Sequence, residues 1–312
     1  MDRVSFNNVT KEFKNKAVLK GVSFNIEAGD IYGLIGENGA GKTTLLKLIV
    51  NLLKPTSGNI QVLGKEIKKD SYDYLRNIGA LIDEPVFYKK LTLYENFKVH
   101  CEYLGFYDEE KLENVLIRVG LHNKKDRKIK ELSFGEKQKL AIAYALITEP
   151  ELLILDEPTN GLDPIAIVEL REILLKLNRE FNTTIIISSH AINELETLAN
   201  KVMFLKNGEI VEDGLLEEIK EKCSVYIEIE VEDSSKALAI LEKELNIRNM
   251  KLINKGTIRV YEALEERKKI LSTLVKSDVE VLSFNMVQIS LEEYFIKKVR
   301  GIWYVKFNED RI

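Results

Sequence analysis

Apolar and polar residues alternate at the start of the chain, with Val4 and Phe6 in one run and Val22, Phe24 and Ile26 in the next. Gly and Asn stand at the turns between them, so the period of two predicts short strands with one buried face. The continuous apolar run Ile31–Ile35 predicts a fully buried strand. A glycine-rich turn then leads into a helical pattern from Lys42, with Leu45, Leu46, Leu48 and Ile49 ahead of Pro55. Strand, tight loop and helix in that order are the first sign of an α/β arrangement. Between Leu91 and Gly120 the period turns helical. Asp108 is placed to cap a helix whose Leu112, Val115, Leu116 and Val119 share one face, and Gly120 ends it. This stretch reads as a helical insertion. Glu136–Ile147 predicts another helix and Leu152–Leu155 a buried strand. Asp163 and Pro164 supply the cap and preset first turn of a helix reaching about Phe181, before a strand over Thr184–Ser188.

Beyond Asp213 and Gly214 the pattern changes. Val225, Ile227, Ile229 and Val231 alternate as a strand, Leu238, Leu241 and Leu245 suit a helix, and Thr257–Tyr261, Leu264–Val275 and Val279–Phe284 read as strand, helix and strand. A further strand fits near Lys251–Ile253, and Ser290 with Glu293 forms a capping box for a last helix. The order predicts a small split βαβ domain. The resulting division is a large domain over 1–220, an accessory α+β domain over 221–300, and a tail over 301–312 that carries Trp303.

A length of 312 residues also favours two domains, at roughly 150 residues each. With 45% hydrophobic and 31% charged residues the chain has the composition of an ordinary globular protein able to bury a sizeable core. A formal net charge of −4 argues against a protein devoted to nucleic-acid backbones, which carries a basic footprint. Cys101 and Cys223 match no disulfide framework or metal spacing and are expected to be reduced thiols of a cytoplasmic protein. The opening MDRVSFNN offers no apolar signal-peptide stretch, and runs such as Ile185–Ile187 fall far short of the ~20 residues a membrane span needs.

The chemistry is concentrated in three segments. Gly36-Glu37-Asn38-Gly39-Ala40-Gly41-Lys42-Thr43 fits the Walker A pattern and sits after a strand and at the start of a helix, where Thr44 continues it. Its glycines let backbone N–H groups close around phosphate oxygens, Lys42 adds a point charge, and the Thr43 hydroxyl is a ligand for Mg²⁺ accompanying ATP. Asp156 and Glu157 end the apolar strand Leu152–Leu155, at the edge where open α/β sheets hold ligands. Alone, such a pair is a solvated turn; after a complete phosphate loop it reads as a metal ligand, Asp156, and a residue that orients and polarises the attacking water, Glu157. The third segment is Leu132-Ser133-Phe134-Gly135-Glu136-Lys137-Gln138. Its serine and glycine open a helix, where hydroxyl, N–H groups and helix dipole together suit an anion.

That third segment resembles the signature motif of ABC transporter ATPases. The resemblance runs from about Phe13 to His190 and implies a P-loop NTPase core of α/β class with an antiparallel β subdomain and a helical subdomain. The small C-terminal α+β domain is expected to be ferredoxin-like. In the family the signature reaches the nucleotide of a second subunit, so the resemblance implies a dimer of two copies enclosing two ATP molecules, with Ser133, Phe134, Gly135 and Glu136 acting across it. Phe134 and Glu136 depart from the commonest form, Leu-Ser-Gly-Gly-Gln; Phe134 keeps its N–H but is strained if a positive φ is required. Phe13 stands where an aromatic side chain stacks on adenine, although a lone aromatic in a strand is more often core. Asp163, in Asn160-Gly161-Leu162-Asp163, corresponds to a loop that crosses the dimer interface, and His190 to the switch histidine near the γ-phosphate. His190, Glu157 and Lys42 form the implied catalytic set. His100 and His122 match nothing and are expected at the surface.

Asp83, followed by Glu84, stands where most members carry a glutamine that senses Mg²⁺ and couples to the transmembrane partner. A carboxylate keeps an oxygen ligand but removes the amide donor. This replacement, the single nucleotide-binding domain and the ending Leu291-Glu292-Glu293-Tyr294-Phe295 resemble the bacitracin- and lantibiotic-type export ATPases. The implied function is ATP hydrolysis powering a separate membrane permease, on the inner face of the membrane and without nucleic acid. Soluble ABC-type ATPases acting on ribosomes or DNA generally show two fused halves, a long coiled-coil insertion or basic surfaces; this sequence has one phosphate loop and a slight acidic excess. A module that binds without hydrolysing is disfavoured by Glu157 and His190.

Overall fold

The computed structural model describes residues 2–300 apart from Asn15, Lys69, Glu84, Phe106 and Ser224. Glu84 and the tail with Trp303 thus lie outside the described residues. The chain divides into two units, Met1–Leu216 and Glu217–Ile312.

The first unit begins with β1 (Asp2–Phe13), β2 (Lys16–Glu27) and β3 (Ile31–Ile35), followed by α1 (Lys42–Ile49), β4 (Ser57–Val62), β5 (Lys65–Glu66) and β6 (Ile78–Leu81). Three helices come next, α2 (Leu93–Tyr103), α3 (Glu109–Arg118) and α4 (Phe134–Leu146). They are followed by β7 (Leu152–Asp156), α5 (Pro164–Phe181), β8 (Thr184–Ser189), α6 (Ile192–Glu196), β9 (Lys201–Lys206) and β10 (Glu209–Leu215). One sheet is antiparallel in the order β2-β1-β4-β5; the other runs β10-β9-β3-β8-β7-β6 and is parallel except for the β9–β10 hairpin.

The alternation at the start of the chain does what its period requires. Val4, Phe6, Val22, Phe24 and Ile26 all point into a core shared with Leu45, Leu46, Leu48 and Ile49 of α1 and with Ile154 and Ile186 of the parallel sheet. Helix α1 is therefore held between two sheets. Each of these fully buried aliphatic side chains contributes about 1.5–3 kcal/mol, so the helix carrying the phosphate loop is fixed by apolar packing from both sides. The strands β7 and β8 are buried on both faces, as their unbroken apolar runs predict.

The helical stretch has the expected caps. The Asp108 side chain accepts from Lys111 N–H, and Thr92 with Glu95 completes a capping box at α2. Helix α4 starts two residues earlier than the apolar period indicates, because Ser133, not the first apolar residue, sets its N-terminus. Gly79 of β6 marks where this helix meets the sheet: a Cβ there would lie 2.1 Å from the Ala145 carbonyl oxygen of α4. Gly79→Ala is accordingly expected to lower unfolding stability by about 2–3 kcal/mol through overpacking. Urea titration checks this, as a lower midpoint with unchanged slope. His100 differs from its expected surface position. It is half-buried and stacks on Tyr144 with ring centroids 4.2 Å apart, and burial holds its imidazole below the ordinary value. His122 is likewise half-buried, and its Nδ1 lies 2.6 Å from Glu113 Oε2.

Helix α7 (Leu216–Glu221) spans the division between the units. The second unit then runs β11 (Val225–Val231), α8 (Ser234–Lys243), β12 (Met250–Leu252), β13 (Thr257–Val260), α9 (Arg267–Lys276), β14 (Val281–Gln288) and α10 (Leu291–Arg300). Its antiparallel sheet has the order β12-β13-β11-β14, and Ile227, Ile229, Ala237, Leu241, Ile258, Ile270 and Leu274 form its own core. The last strand begins later than its apolar pattern indicates, since Val279 belongs to the turn after α9. Among the described residues, no helix is long and apolar enough to cross a membrane.

Candidate functional site

The site lies at the carboxyl ends of β3, β7 and β8, where three consecutive strands of the parallel sheet release their chains. After β3 the backbone turns through Gly39 and Gly41, the latter at φ 115° as the N-cap of α1, a conformation that a Cβ would strain. Lys42 is only 6% exposed although it carries an ammonium group. Its Nζ donates to the Gly36 carbonyl at 2.6 Å and lies 3.0 Å from Glu157 Oε1, at an ion-pair separation outside hydrogen-bond angles. The lysine thus spans from the phosphate loop after β3 to the residue after β7, with β8 lying between the two strands. Glu37, Asn38 and Gly39 are exposed, whereas Ala40 is buried and Thr43 and Thr44 are half-buried in the first turn of α1.

Two carboxylates face this loop. Asp156 accepts from Thr43 Oγ1 at 2.7 Å through Oδ2 and from Ser188 Oγ at 2.5 Å through Oδ1. Ser188 Oγ in turn accepts the Glu157 N–H at 2.9 Å, which holds Glu157 at φ 47°, a sparsely populated conformation for a residue with a side chain. Glu157 Oε2 then meets His190 Nδ1 at 2.7 Å. Partial burial pushes the Glu157 carboxyl up, but contact with His190 and Lys42 outweighs it and holds the group below its ordinary 4.5. It is therefore a carboxylate at neutral pH. Its stabilising contribution is present above that ordinary value and is lost as pH falls through the lowered one.

The sequence did not single out Ser188 as part of this arrangement, though it stands one strand position before the serine that precedes His190. Strand pairing alone puts Asp156 opposite Ser188, and that register is a long-range fact. Phe13 is 42% exposed at the end of β1, so it is not core; Lys11 Nζ lies 4.8 Å from its ring centre. Asp83 does not join Thr43 and Asp156. Its Oδ2 pairs with Lys47 Nζ, one helical turn beyond Thr43, at 2.7 Å, although Asp83, Asp156 and Glu157 line a common cavity of about 870 Å³. The left-handed φ of 64° at Asp83 turns the chain there.

Ser133 caps α4 by accepting from Glu136 N–H at 3.2 Å, while Glu136 Oε2 accepts from Ser133 N–H at 2.8 Å and its other oxygen pairs with Lys124. Phe134 takes the first helical position with an ordinary negative φ, so the feared backbone strain is absent, and its ring is exposed against Gly161. A Cβ on Gly135 would press on Ala166 of α5 at 3.1 Å, so the glycine permits the two helix starts to approach. Asp163 is exposed and caps α5, accepting from Ala166 N–H at 2.9 Å. Of the predicted residues, Lys42, Thr43, Asp156, Glu157 and His190 are joined by direct contacts; Asp83 and Phe134 line the cavity that Asp156 and Glu157 border, while Phe13, Ser133 and Asp163 make none of these contacts.

A phosphate loop between a parallel strand and a buried helix, faced by two successive carboxylates at the end of β7 and joined to a helical arm, defines an ATP-binding cassette. The matching family model is that of the ABC transporter, over residues 19–160. The chain is 42% identical to the uncharacterised ABC transporter ATP-binding protein YcbN of Bacillus subtilis, over 96% of this chain and 97% of that protein. It is 38% identical to the bacitracin transport ATP-binding protein BcrA of Bacillus licheniformis, over 94% and 96%. The dimeric structure of MJ0796, a bacterial ABC transporter cassette, superposes with a TM-score of 0.61 at 29% identity, over 68% of this chain and 98% of that one. The chain belongs to the ATP-binding proteins of ABC transporters and is an ATPase.

Proposed function

We propose that two copies of the chain close on two ATP molecules and drive a separate membrane permease that exports a peptide antibiotic, drug or similar amphiphile. The observation that carries the hydrolytic part is the continuous contact Lys42–Glu157–His190 beside Thr43–Asp156. Glu157, ionised and anchored by His190, accepts a proton from the attacking water, and His190 orients it; Lys42 holds the phosphates. The Thr43 hydroxyl and Asp156 carboxylate offer hard oxygens 2.7 Å apart, a pair that fits Mg²⁺ together with phosphate oxygens. When bound, the ion neutralises charge on the phosphates. Asp83, paired with Lys47 and lining the same cavity as Asp156, is read as the further oxygen ligand that stands in for the usual glutamine and as the link to the permease.

Ser133, Phe134, Gly135 and Glu136 meet the nucleotide of the second copy, and Asp163 crosses between copies. Phe13 supplies an exposed aromatic ring for adenine. Phe13→Ala is expected to weaken ATP binding about tenfold, since stacking on one base is worth ~1–3 kcal/mol, and Phe13→Trp to preserve it; calorimetric titration checks both. The accessory domain is read as ferredoxin-like, supported by its β-α-β-β-α-β succession and the sheet order in which β11 lies between β13 and β14. The assembly sits on the cytoplasmic face of the membrane through the permease.

The exported class rests on the 38% identity to a bacitracin transport protein. Its test is co-expression with the permease of a neighbouring reading frame, followed by co-purification from membranes and growth in bacitracin. Joint recovery and a several-fold rise in tolerated bacitracin, lost with Glu157→Gln, is the expected result. Recovery of ribosomes or DNA with no multi-spanning protein contradicts transport, and joint recovery without altered tolerance contradicts the bacitracin-like substrate.

A further inference from the structure

Behind the catalytic face a second set of hydrogen bonds ties the same two strand ends together. Residues of a strand alternate between faces, so Ser188 and Ser189 of β8 point to opposite sides of the sheet. Ser188 serves Asp156 and the Glu157 N–H on one side. On the other, Ser189 Oγ donates to Glu194 Oε2 at 3.1 Å and accepts the Ala191 N–H at 2.9 Å. The same Glu194 oxygen receives the Thr159 hydroxyl at 2.5 Å. Thr159 and Ser189 are 9% and 2% exposed, so these bonds are sheltered from competing water. Glu194 and Thr159 also line a cavity of about 210 Å³ with Leu170, Leu174 and Ile187, an apolar setting that strengthens charge-assisted bonds.

The placement of the three residues gives the contact its meaning. Thr159 stands two residues after Glu157 and opens the turn to Asp163, in which the Leu162 N–H returns to the Thr159 carbonyl at 3.1 Å. Ser189 immediately precedes His190. One carboxylate oxygen therefore fixes the segment carrying Glu157 and Asp163 against the segment carrying His190. We infer that Glu194 is a positioning residue for hydrolysis: through Thr159 and Ser189 it holds Glu157 and His190 in register without touching nucleotide. This rests on the roles given above to Glu157 and His190. Loss of the brace lets the water-orienting pair drift, and a displacement of about 1 Å costs up to 10²-fold in rate, whereas the phosphate loop and Phe13 are left in place.

The test is steady-state ATP hydrolysis by the full chain with Mg²⁺, comparing Glu194→Ala, Glu194→Gln and Thr159→Val with the parent. Glu194→Ala is expected to lower kcat at least about fivefold with KM for ATP within about twofold, the split that marks an interaction absent from ground-state binding. Glu194→Gln keeps an acceptor oxygen for both hydroxyls and restores more than half of the parental kcat. A smaller fall in Glu194→Ala, a matching rise in KM, or a Gln variant as slow as the Ala variant overturns the inference. If Glu194→Ala does not fold, Thr159→Val is judged by the same kcat and KM limits. Glu157→Gln run in parallel separates the two levels: parental hydrolysis by that variant denies the underlying assignment, while its inactivity beside an active Glu194→Ala denies only the brace.

Discussion

Glu157→Gln is expected to lower ATP turnover by about 10³-fold, within the 10²–10⁴ range of a positioned general base, while ATP binding is retained. The amide keeps the shape of the carboxylate but cannot take the proton of the attacking water. It also removes a negative charge from the mouth of the phosphate loop, where Lys42 Nζ lies 3.0 Å from Glu157 Oε1. With that charge gone, Lys42 Nζ is shared only between backbone carbonyls of the loop and the phosphates, so nucleotide affinity holds or rises. Single-turnover phosphate release and equilibrium ATP binding measure the two parts separately. Turnover within about tenfold of the parent would remove Glu157 from the role of base, because a residue whose loss costs so little is outside the range for such a group.

The second large effect is expected at Lys42. Replacing it by Ala removes the only cation that joins the Gly36 carbonyl and the Glu157 carboxylate among the described contacts. A buried charge-assisted contact of this kind is worth about 2–4 kcal/mol, so ATP affinity should fall by roughly 30- to 1000-fold. Arg is not expected to substitute. The ammonium fits at 2.6 Å from the Gly36 carbonyl in a space only 6% exposed, and a planar guanidinium needs a wider fork. Losing Lys42 also removes one of the influences that hold the Glu157 carboxyl low, so that group should titrate at higher pH in the variant. Calorimetric titration with ATP, repeated for Lys42→Arg, reads this directly; affinity within about threefold for both variants would place the phosphates elsewhere.

What the sequence made legible was local. The phosphate loop, the strand ending in Asp156 and Glu157, and the caps Asp108, Ser133 and Asp163 are short patterns, and the structure forms each from residues a few positions apart. The apolar periods likewise located strands and helices to within a few residues. What stayed hidden depends on register between distant segments. Ser188 meets Asp156 across 32 positions, and Glu194 meets Thr159 across 35, so neither is visible until β7 and β8 are paired. The pairing of Asp83, just after β6, with Lys47 of α1 and the stacking of His100 of α2 on Tyr144 of α4 are of the same kind, contacts between elements far apart in the chain. The delayed start of β14 had another cause. Val279 is apolar and buried, but as a turn residue packing under α9, which a two-residue period cannot distinguish from a strand.

The two-copy, two-ATP assembly is the centre of this account, since it gives the signature residues and Asp163 their proposed contacts with nucleotide and partner copy. The most direct measurement is the mass of Glu157→Gln in solution by sedimentation, with and without ATP and Mg²⁺. Two chains with nucleotide and one without, reverting to one when Ser133→Arg is added, is the predicted result. A single-chain mass under ATP concentrations that saturate the binding site would contradict the account.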